Sequence, residues 1–483
     1  MAVTDAYQPG QMAQTPSGTQ SQRSPVLMAL FLIAVMTPIQ TYIGDFRVDP
    51  YRGYLLIAFF PAAFALMGKG GGRLALPDLF MGLYALWIMV AMIHNHGNWG
   101  FTNGGITVVE LLGAYMLGRV LVRSVADFER LVRYILITLV LLSPLVAHEF
   151  FTGRWLIGEY VGRAFQTVGR AVADAERMGF HRVQASFPHA ILYGLYPSMI
   201  FGCVYYLYRD RFAMMLRRLA FVGAMTFASL SSGPLLAVFV QGGLILWDRV
   251  TKGRWMLLAV LSVIGYVVID FLSNRTPTQI FVQTFTLNPD TAYWRIHIFE
   301  YGKQAVLNNP IFGIGHHDHP RPFWLTDSVD NFWLLNAMRY GLVGFGFLAG
   351  AVLLSVFNII RAKNLSPAAQ NARLAFLISF AGLAFTLSTV HVWNSISSLV
   401  FFFIGAGAFL YTGGDTGEAE HASTDPDPDL QDDTAGTVRY RRPVRNEGTH
   451  ARGAGEMPFR RHPSAASPDA PIAPQRQGPT FRR

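Results

Sequence analysis

Apolar residues run along this chain in blocks of about 15 to 20, separated by short polar punctuation; about 20 is the length an α-helix needs to cross a bilayer. The blocks predict about 12 spans: Val26–Ile43, Gly53–Met67, Leu79–Ile93, Ile106–Val122, Leu131–Ala147, Ser186–Tyr208, Leu219–Leu230, Pro234–Trp247, Met256–Leu272, Gly341–Ile360, Arg373–Val390 and Ile396–Thr412. The seventh and eighth meet at Ser231-Ser232-Gly233-Pro234, which leaves no room for a loop. Non-helical backbone at that depth must be buried in protein or face water.

The ends differ from the middle. Residues 1–24 are polar, open with no basic region and lead to no clean cleavage site, so the first span is expected to be retained. Residues 413–483 are hydrophilic, acidic first and then rich in arginine and proline, a composition that cannot bury enough apolar area to offset chain entropy. The expected organisation is a disordered N-terminus (1–24), a membrane domain (25–412) with long connections at 148–185 and 273–340, and a disordered tail (413–483). The expected fold class is therefore an all-α polytopic membrane protein.

Composition strengthens this reading and narrows the chemistry. Only 14% of residues are charged and 52% are hydrophobic, against about 25% charged in soluble domains, which argues against an ordinary soluble enzyme. A single cysteine, Cys203, excludes an intramolecular disulfide and a thiolate metal site. Charge orients the spans. Alternate short connections hold 15 basic residues, among them Lys69, Arg123, Arg209, Lys252 and Arg361, whereas those on the other side hold only Arg47 and Arg52. By the positive-inside rule both termini are expected to be cytoplasmic and the two long connections to face outward.

Those outward connections are rich in arginine: Arg154, Arg163, Arg170, Arg177 and Arg182 in the first, and Arg275, Arg295, Arg321 and Arg339, with Lys303, in the second. Surface ion pairs with Glu149, Glu159, Asp174, Glu176 and Asp290 explain individual arginines; an anionic substrate explains the set better. Within the spans, Glu110 and Arg119 fall on opposite helix faces. Arg119 is expected to snorkel to the cytoplasmic surface, and Glu110 is a functional candidate.

Polar chemistry gathers outside. Phe180-His181-Arg182 leads into Ser186-Phe187-Pro188-His189 at a span mouth. Trp294-Arg295 opens a stretch that predicts a short extramembrane helix. Asn309-Pro310-Ile311-Phe312-Gly313-Ile314-Gly315 makes a turn into His316-His317-Asp318-His319-Pro320, and Asp330-Asn331 opens a helix that breaks at Gly341. His316, His317 and His319 lack the carboxylate or cysteine spacing of a metal site and fit hydrogen bonding to sugar or phosphate better. Asp327 and Asp330 also lie where carboxylates cap a helix.

These segments resemble the O-antigen ligase and polymerase superfamily of bacterial envelope glycosyltransferases. The ligase signature is a His-Asn pair, nine residues, then Gly-x-x-Gly. Asp330-Asn331 followed by Gly341 and Gly344 matches every spacing, with aspartate in place of histidine. Arg295 and the turn carrying Gly313 and Gly315 also look like family features. The missing histidine favours a polymerase-like member. Where many members have Ser-Arg-Gly this chain has Ser232-Gly233, which makes Arg182 the candidate for a second cationic contact.

The resemblance implies an inverting, metal-independent transfer of a glycan from undecaprenyl diphosphate to a glycan or lipid A-core acceptor, on the outer face of the inner membrane. No cofactor, nucleotide or nucleic-acid partner is expected. Asp330 and Asn331 would be catalytic; Arg295, Arg182, His189, His316, His317, His319 and Arg321 would bind diphosphate or sugar; Gly313, Gly315, Gly341 and Gly344 would shape the backbone. A transporter or flippase for an envelope glycolipid is the alternative from another class, disfavoured by a nearly uncharged midplane and the absence of a visible repeat. A structural scaffold of envelope assembly is the third reading.

Overall fold

The computed structural model describes residues 23–44, 46–68, 72–167, 176–273 and 289–413. The expected disorder at 1–22 and 414–483, and the roles considered for Lys69, Arg170, Asp174 and Arg275, lie outside the described residues. The chain is an all-α polytopic membrane protein. Among the described residues its strands are three two-residue pairs, of which Ile39–Gln40 with Gln166–Thr167 ties the first connection to the long one.

Among the described residues, nine helical stretches are long and apolar enough to cross a membrane. One of them, Leu76–Leu121, spans 46 residues and is two antiparallel legs. Gly97 sits at φ 59° and ψ −132°, and Gly104 packs on Met89 and Met92. Asp78 and Arg119, 41 positions apart, touch at 2.8 Å. The legs are the expected third and fourth spans. Phe212–Phe227 occupies the seventh. The first is corrected: its helix is Arg23–Met36, 14 residues or about 21 Å, because Pro38 supplies no N–H and biases the residue before it away from helix.

Departures from regular helix shape the interior, where freed backbone groups need partners. The sixth span divides into Ala190–Ser198 and Phe201–Tyr208 beside Pro197. Gln241 bridges the break, accepting from Gly202 N at 2.8 Å and donating to Ser198 O at 2.8 Å. The fourth span contains a π-helical turn, Val109–Gly113, which carries Glu110. The Phe332–Arg361 helix kinks at Gly341, φ 69° and ψ 178°, and the turn before it covers the kink. Ile314 N and Gly315 N donate to the Met338 and Arg339 carbonyls at 2.8 and 3.0 Å, while Leu342 N donates to Pro310 O at 2.7 Å.

The glycines follow from this packing. A Cβ on Gly341 would lie 2.0 Å from Ile311 O, and one on Gly313 would lie 2.4 Å from Met338 O. Gly344 makes room for Trp87, whose indole N–H donates to Tyr340 O at 2.9 Å.

Two expectations about charge are corrected. Arg119 does not snorkel: it is 2% exposed and is held by both oxygens of Asp78, by Thr412 and by the Arg73 carbonyl. A buried guanidinium needs such a partner set, and the hairpin supplies it. Glu149 is not a surface ion-pair partner either. It is buried and accepts the Gln184 and Ala185 N–H groups at 2.9 and 3.0 Å, fixing the strand-like approach to the sixth span. The Arg154–Glu159 pair at 2.7 Å is of the surface kind expected.

Candidate active site

The break between the seventh and eighth spans is the foundation of the site. After Phe227 the chain leaves the helix, with Leu230 at φ 43°, and Ser229, Leu230 and Ser231 are buried. The connection before the sixth span lies over them. Val183 N donates to Ala228 O at 3.1 Å, Arg177 Nη1 to Leu230 O at 2.9 Å, and Arg182 Nη2 to Ser231 Oγ at 2.9 Å. Arg182 therefore reaches the serine corner from a different part of the chain.

Arg295 and Asp330 complete the cluster. Arg295, on the Pro289–Asn308 helix, and Arg182 are half-buried. Each has a buried Nε with no hydrogen-bond partner among the described residues. Burial and the neighbouring Arg177 push the Arg182 guanidinium down to about 10. Burial also lowers Arg295; Asp330 opposes that shift and Arg177 adds to it. Arg177 acts on both Arg182 and Arg295, and Asp330 acts on Arg295, so three guanidinium groups and one carboxylate share a neighbourhood of net positive charge.

Asp330 and Asn331 divide their work. Asn331 is the helix N-cap: its Oδ1 accepts from Leu334 N at 3.0 Å. Asp330 is half-buried and accepts from the Ser328 hydroxyl at 3.0 Å. Capping considered for the aspartate is performed by its neighbour, and the carboxylate is left free of that task.

His189 caps the Ala190–Ser198 helix through Nδ1, which accepts from Ile191 N at 3.1 Å. That bond puts the proton of the neutral ring on Nε2. Burial, followed by the charge of Arg182, lowers its pKa to about 4, against the opposing pull of Asp330, so the ring is a neutral donor at pH 7.

The remaining candidates lie elsewhere. Arg321 is paired with Asp318 and donates to Leu325 O. His319 is buried beside Asp318. The turn with His316 and His317 docks on the hairpin tip: His316 N donates to His96 Nε2 at 2.8 Å, and His317 Nε2 lies 3.1 Å from Asn95 O.

Three contributors were not singled out from sequence. Arg177 was only one of many outward arginines. Trp393 and His391 lie on a short connection between spans, where the alternation Val390-His391-Val392-Trp393 was the available signal. Trp393 faces His189, with ring centroids 6.0 Å apart, and His391 at 5.8 Å.

Fold and site together define a polytopic helical membrane protein with a basic, carboxylate-bearing cluster on the connections at one end of its helices. Residues 219–349 match the family model described as O-Antigen ligase, which supports the O-antigen ligase and polymerase family, a glycosyltransferase-type family of enzymes. The matched stretch holds Ser231, Arg295, Asp330 and both glycines of the Gly-x-x-Gly; Arg177, Arg182 and His189 precede it. A search of curated proteins found no match.

Proposed function

We propose that this protein transfers a glycan from a polyprenyl-diphosphate carrier to an acceptor hydroxyl on the outer face of the bacterial inner membrane, polymerising or ligating lipid-linked oligosaccharide. One observation carries the reading. Arg182 and Arg295, each with a buried unpartnered Nε, share a neighbourhood with Arg177 in which Asp330 acts on both Arg295 and His189. Buried guanidinium groups short of acceptors are a binding site for a compact polyanion, and a planar fork matches diphosphate oxygens two at a time.

In this reading Arg295 and Arg182 hold the diphosphate and neutralise the charge that grows as the sugar–phosphate bond breaks. Asp330 accepts the proton of the acceptor hydroxyl as that oxygen attacks the anomeric carbon from the opposite face. A single displacement inverts the anomeric configuration, and the carrier leaves as its diphosphate. His189 donates from Nε2, Asn331 holds the helix start that positions Asp330, and no metal or nucleotide takes part. The acceptor is a glycan or lipid A-core sugar, and both termini lie in the cytoplasm.

The test is transfer activity in membranes supplied with undecaprenyl-diphosphate oligosaccharide. Arg295→Lys keeps the charge and loses the fork, so activity should fall steeply at normal protein levels. Near-normal turnover in Arg295→Ala would refute the donor assignment.

A further inference from the structure

Beside the arginine cluster, on the far side of Trp393, lies a cavity of about 240 Å³ whose walls include Arg52, Glu110, Arg339, His391 and Trp393. It begins at Phe332, two positions from Asp330. A second cavity of about 280 Å³ adjoins it, sharing His316, Leu335 and Arg339 as lining. Side by side, the two cavities make a groove walled in common by His316, Leu335 and Arg339.

The lining has the chemistry of a carbohydrate site, with an indole face, amides and imidazoles, and few aliphatic side chains. Its charges decide which carbohydrate. Glu110 is fully engaged at Oε1, accepting from the Tyr51 hydroxyl at 2.6 Å and from Arg52 Nε, so that pair is neutral as a unit. His391 is neutral at pH 7, because burial and the adjacent Arg339 hold its pKa down to about 3. Arg339 has no ion-pair partner among the described residues. Of the two acidic residues lining the second cavity, Asp318 is paired with Arg321 and Asp327 forms no ion pair among the described residues. The Arg339 guanidinium therefore stands outside any described ion pair where the two cavities meet, and exposed Asp327 is the one acidic group on the lining left to balance it.

We propose that this groove is a glycan subsite selective for an acidic sugar, with the Arg339 guanidinium binding the sugar carboxylate and Trp393 packing on the ring nearest Asp330. The proposal rests on the transferase reading for its place in the reaction, and it adds the substrate class: uronic acid or a similarly carboxylated residue next to the bond being made or broken. Arg339 is a specificity residue here; the geometry does not bring it to the reacting atoms.

Saturation-transfer NMR on the full chain in nanodiscs, with methyl β-D-glucuronoside and methyl β-D-glucoside as probes, tests this directly. The glucuronoside should bind about tenfold or more tightly than the glucoside, the usual worth of one charge-assisted pair. Arg339→Gln should abolish the preference, and Arg339→Lys should retain part of it, which separates charge recognition from misfolding. Equal binding of the two probes, binding of neither, or a preference that survives in Arg339→Gln would overturn the proposal. Inorganic pyrophosphate serves as a separate probe of the donor site. Its binding should depend on Arg182 and Arg295 and be indifferent to Arg339. Failure of the pyrophosphate arm alone would therefore strike the donor reading, whereas failure of the glucuronoside arm alone would strike the acidic-sugar subsite.

Discussion

Replacing Asp330 by asparagine separates a chemical role from a structural one, because the neighbouring residue already performs the structural task. The cap on the Phe332–Arg361 helix is Asn331, whose Oδ1 takes the Leu334 N–H. Loss of an N-cap costs about 0.5–2 kcal/mol, but that contact is untouched in Asp330→Asn. The bond Asp330 does make, from the Ser328 hydroxyl, survives as well, since an amide oxygen accepts as a carboxylate does. The expected change in stability is therefore below about 1 kcal/mol. Removing a general base slows proton transfer by about 10²- to 10⁴-fold, which raises the barrier by about 3–5 kcal/mol. Thermal melting in detergent should match wild type while transfer from undecaprenyl-diphosphate oligosaccharide falls at least about 10²-fold. Asp330→His, which restores the ligase signature, should retain partial activity. Full activity in Asp330→Asn would refute the base assignment; a large drop in melting temperature would show that the carboxylate holds the fold instead.

Other consequences are equally concrete. Gly341→Ala should destabilise the protein by about 1–3 kcal/mol from backbone strain alone, and by more because its Cβ meets Ile311 O; a melting temperature equal to wild type would contradict the kink geometry. Asp78→Asn leaves Arg119 buried without its charge partner and should cost about 3–5 kcal/mol, read as early melting on fluorescence-detected size exclusion. His189 and His391 have folded-state pKa values of about 4 and 3, below the unfolded value of about 6.5. Their contribution is therefore complete above pH 6.5 and is lost as pH falls towards 4, because the unfolded chain binds the extra protons. Melting temperature should decline over that window, with a shallower slope in His391→Gln. Cysteine placed at the fully exposed Phe323 should react with an impermeant thiol reagent added outside intact cells, against a background kept silent by the burial of Cys203.

Hydropathy located the helices well because the bilayer demands long apolar runs whatever their partners are. The break between the seventh and eighth spans, expected at Ser231-Ser232-Gly233-Pro234 and found just before it at residues 228–231, and the kink at Gly341 were legible for a related reason: backbone that leaves the helix inside a membrane must be covered, and the residue types at such places are few. Partnerships across the sequence were not legible. Asp78 meets Arg119 only because the chain reverses at Gly97, and nothing local to Arg119 announces a carboxylate 41 residues earlier. Glu149 likewise reads as a surface acid until the Gln184 and Ala185 amides are seen to reach it. In the site, the roles of Arg182 and Asp330 could be framed from the motif and its departures. Arg177, His391 and Trp393 gain meaning only from what the fold sets beside them. The histidine turn shows the opposite case, since chemistry-bearing residues in a row there mostly serve the docking of the hairpin tip.

The most direct test of the central claim is transfer by the purified protein in liposomes, given undecaprenyl-diphosphate oligosaccharide as the sole donor and the same glycan as acceptor. The account predicts longer glycan together with stoichiometric release of undecaprenyl diphosphate, both abolished in Arg295→Ala and unaffected by chelators. Absence of product from well-folded wild-type protein, or unchanged release in Arg295→Ala, would contradict it.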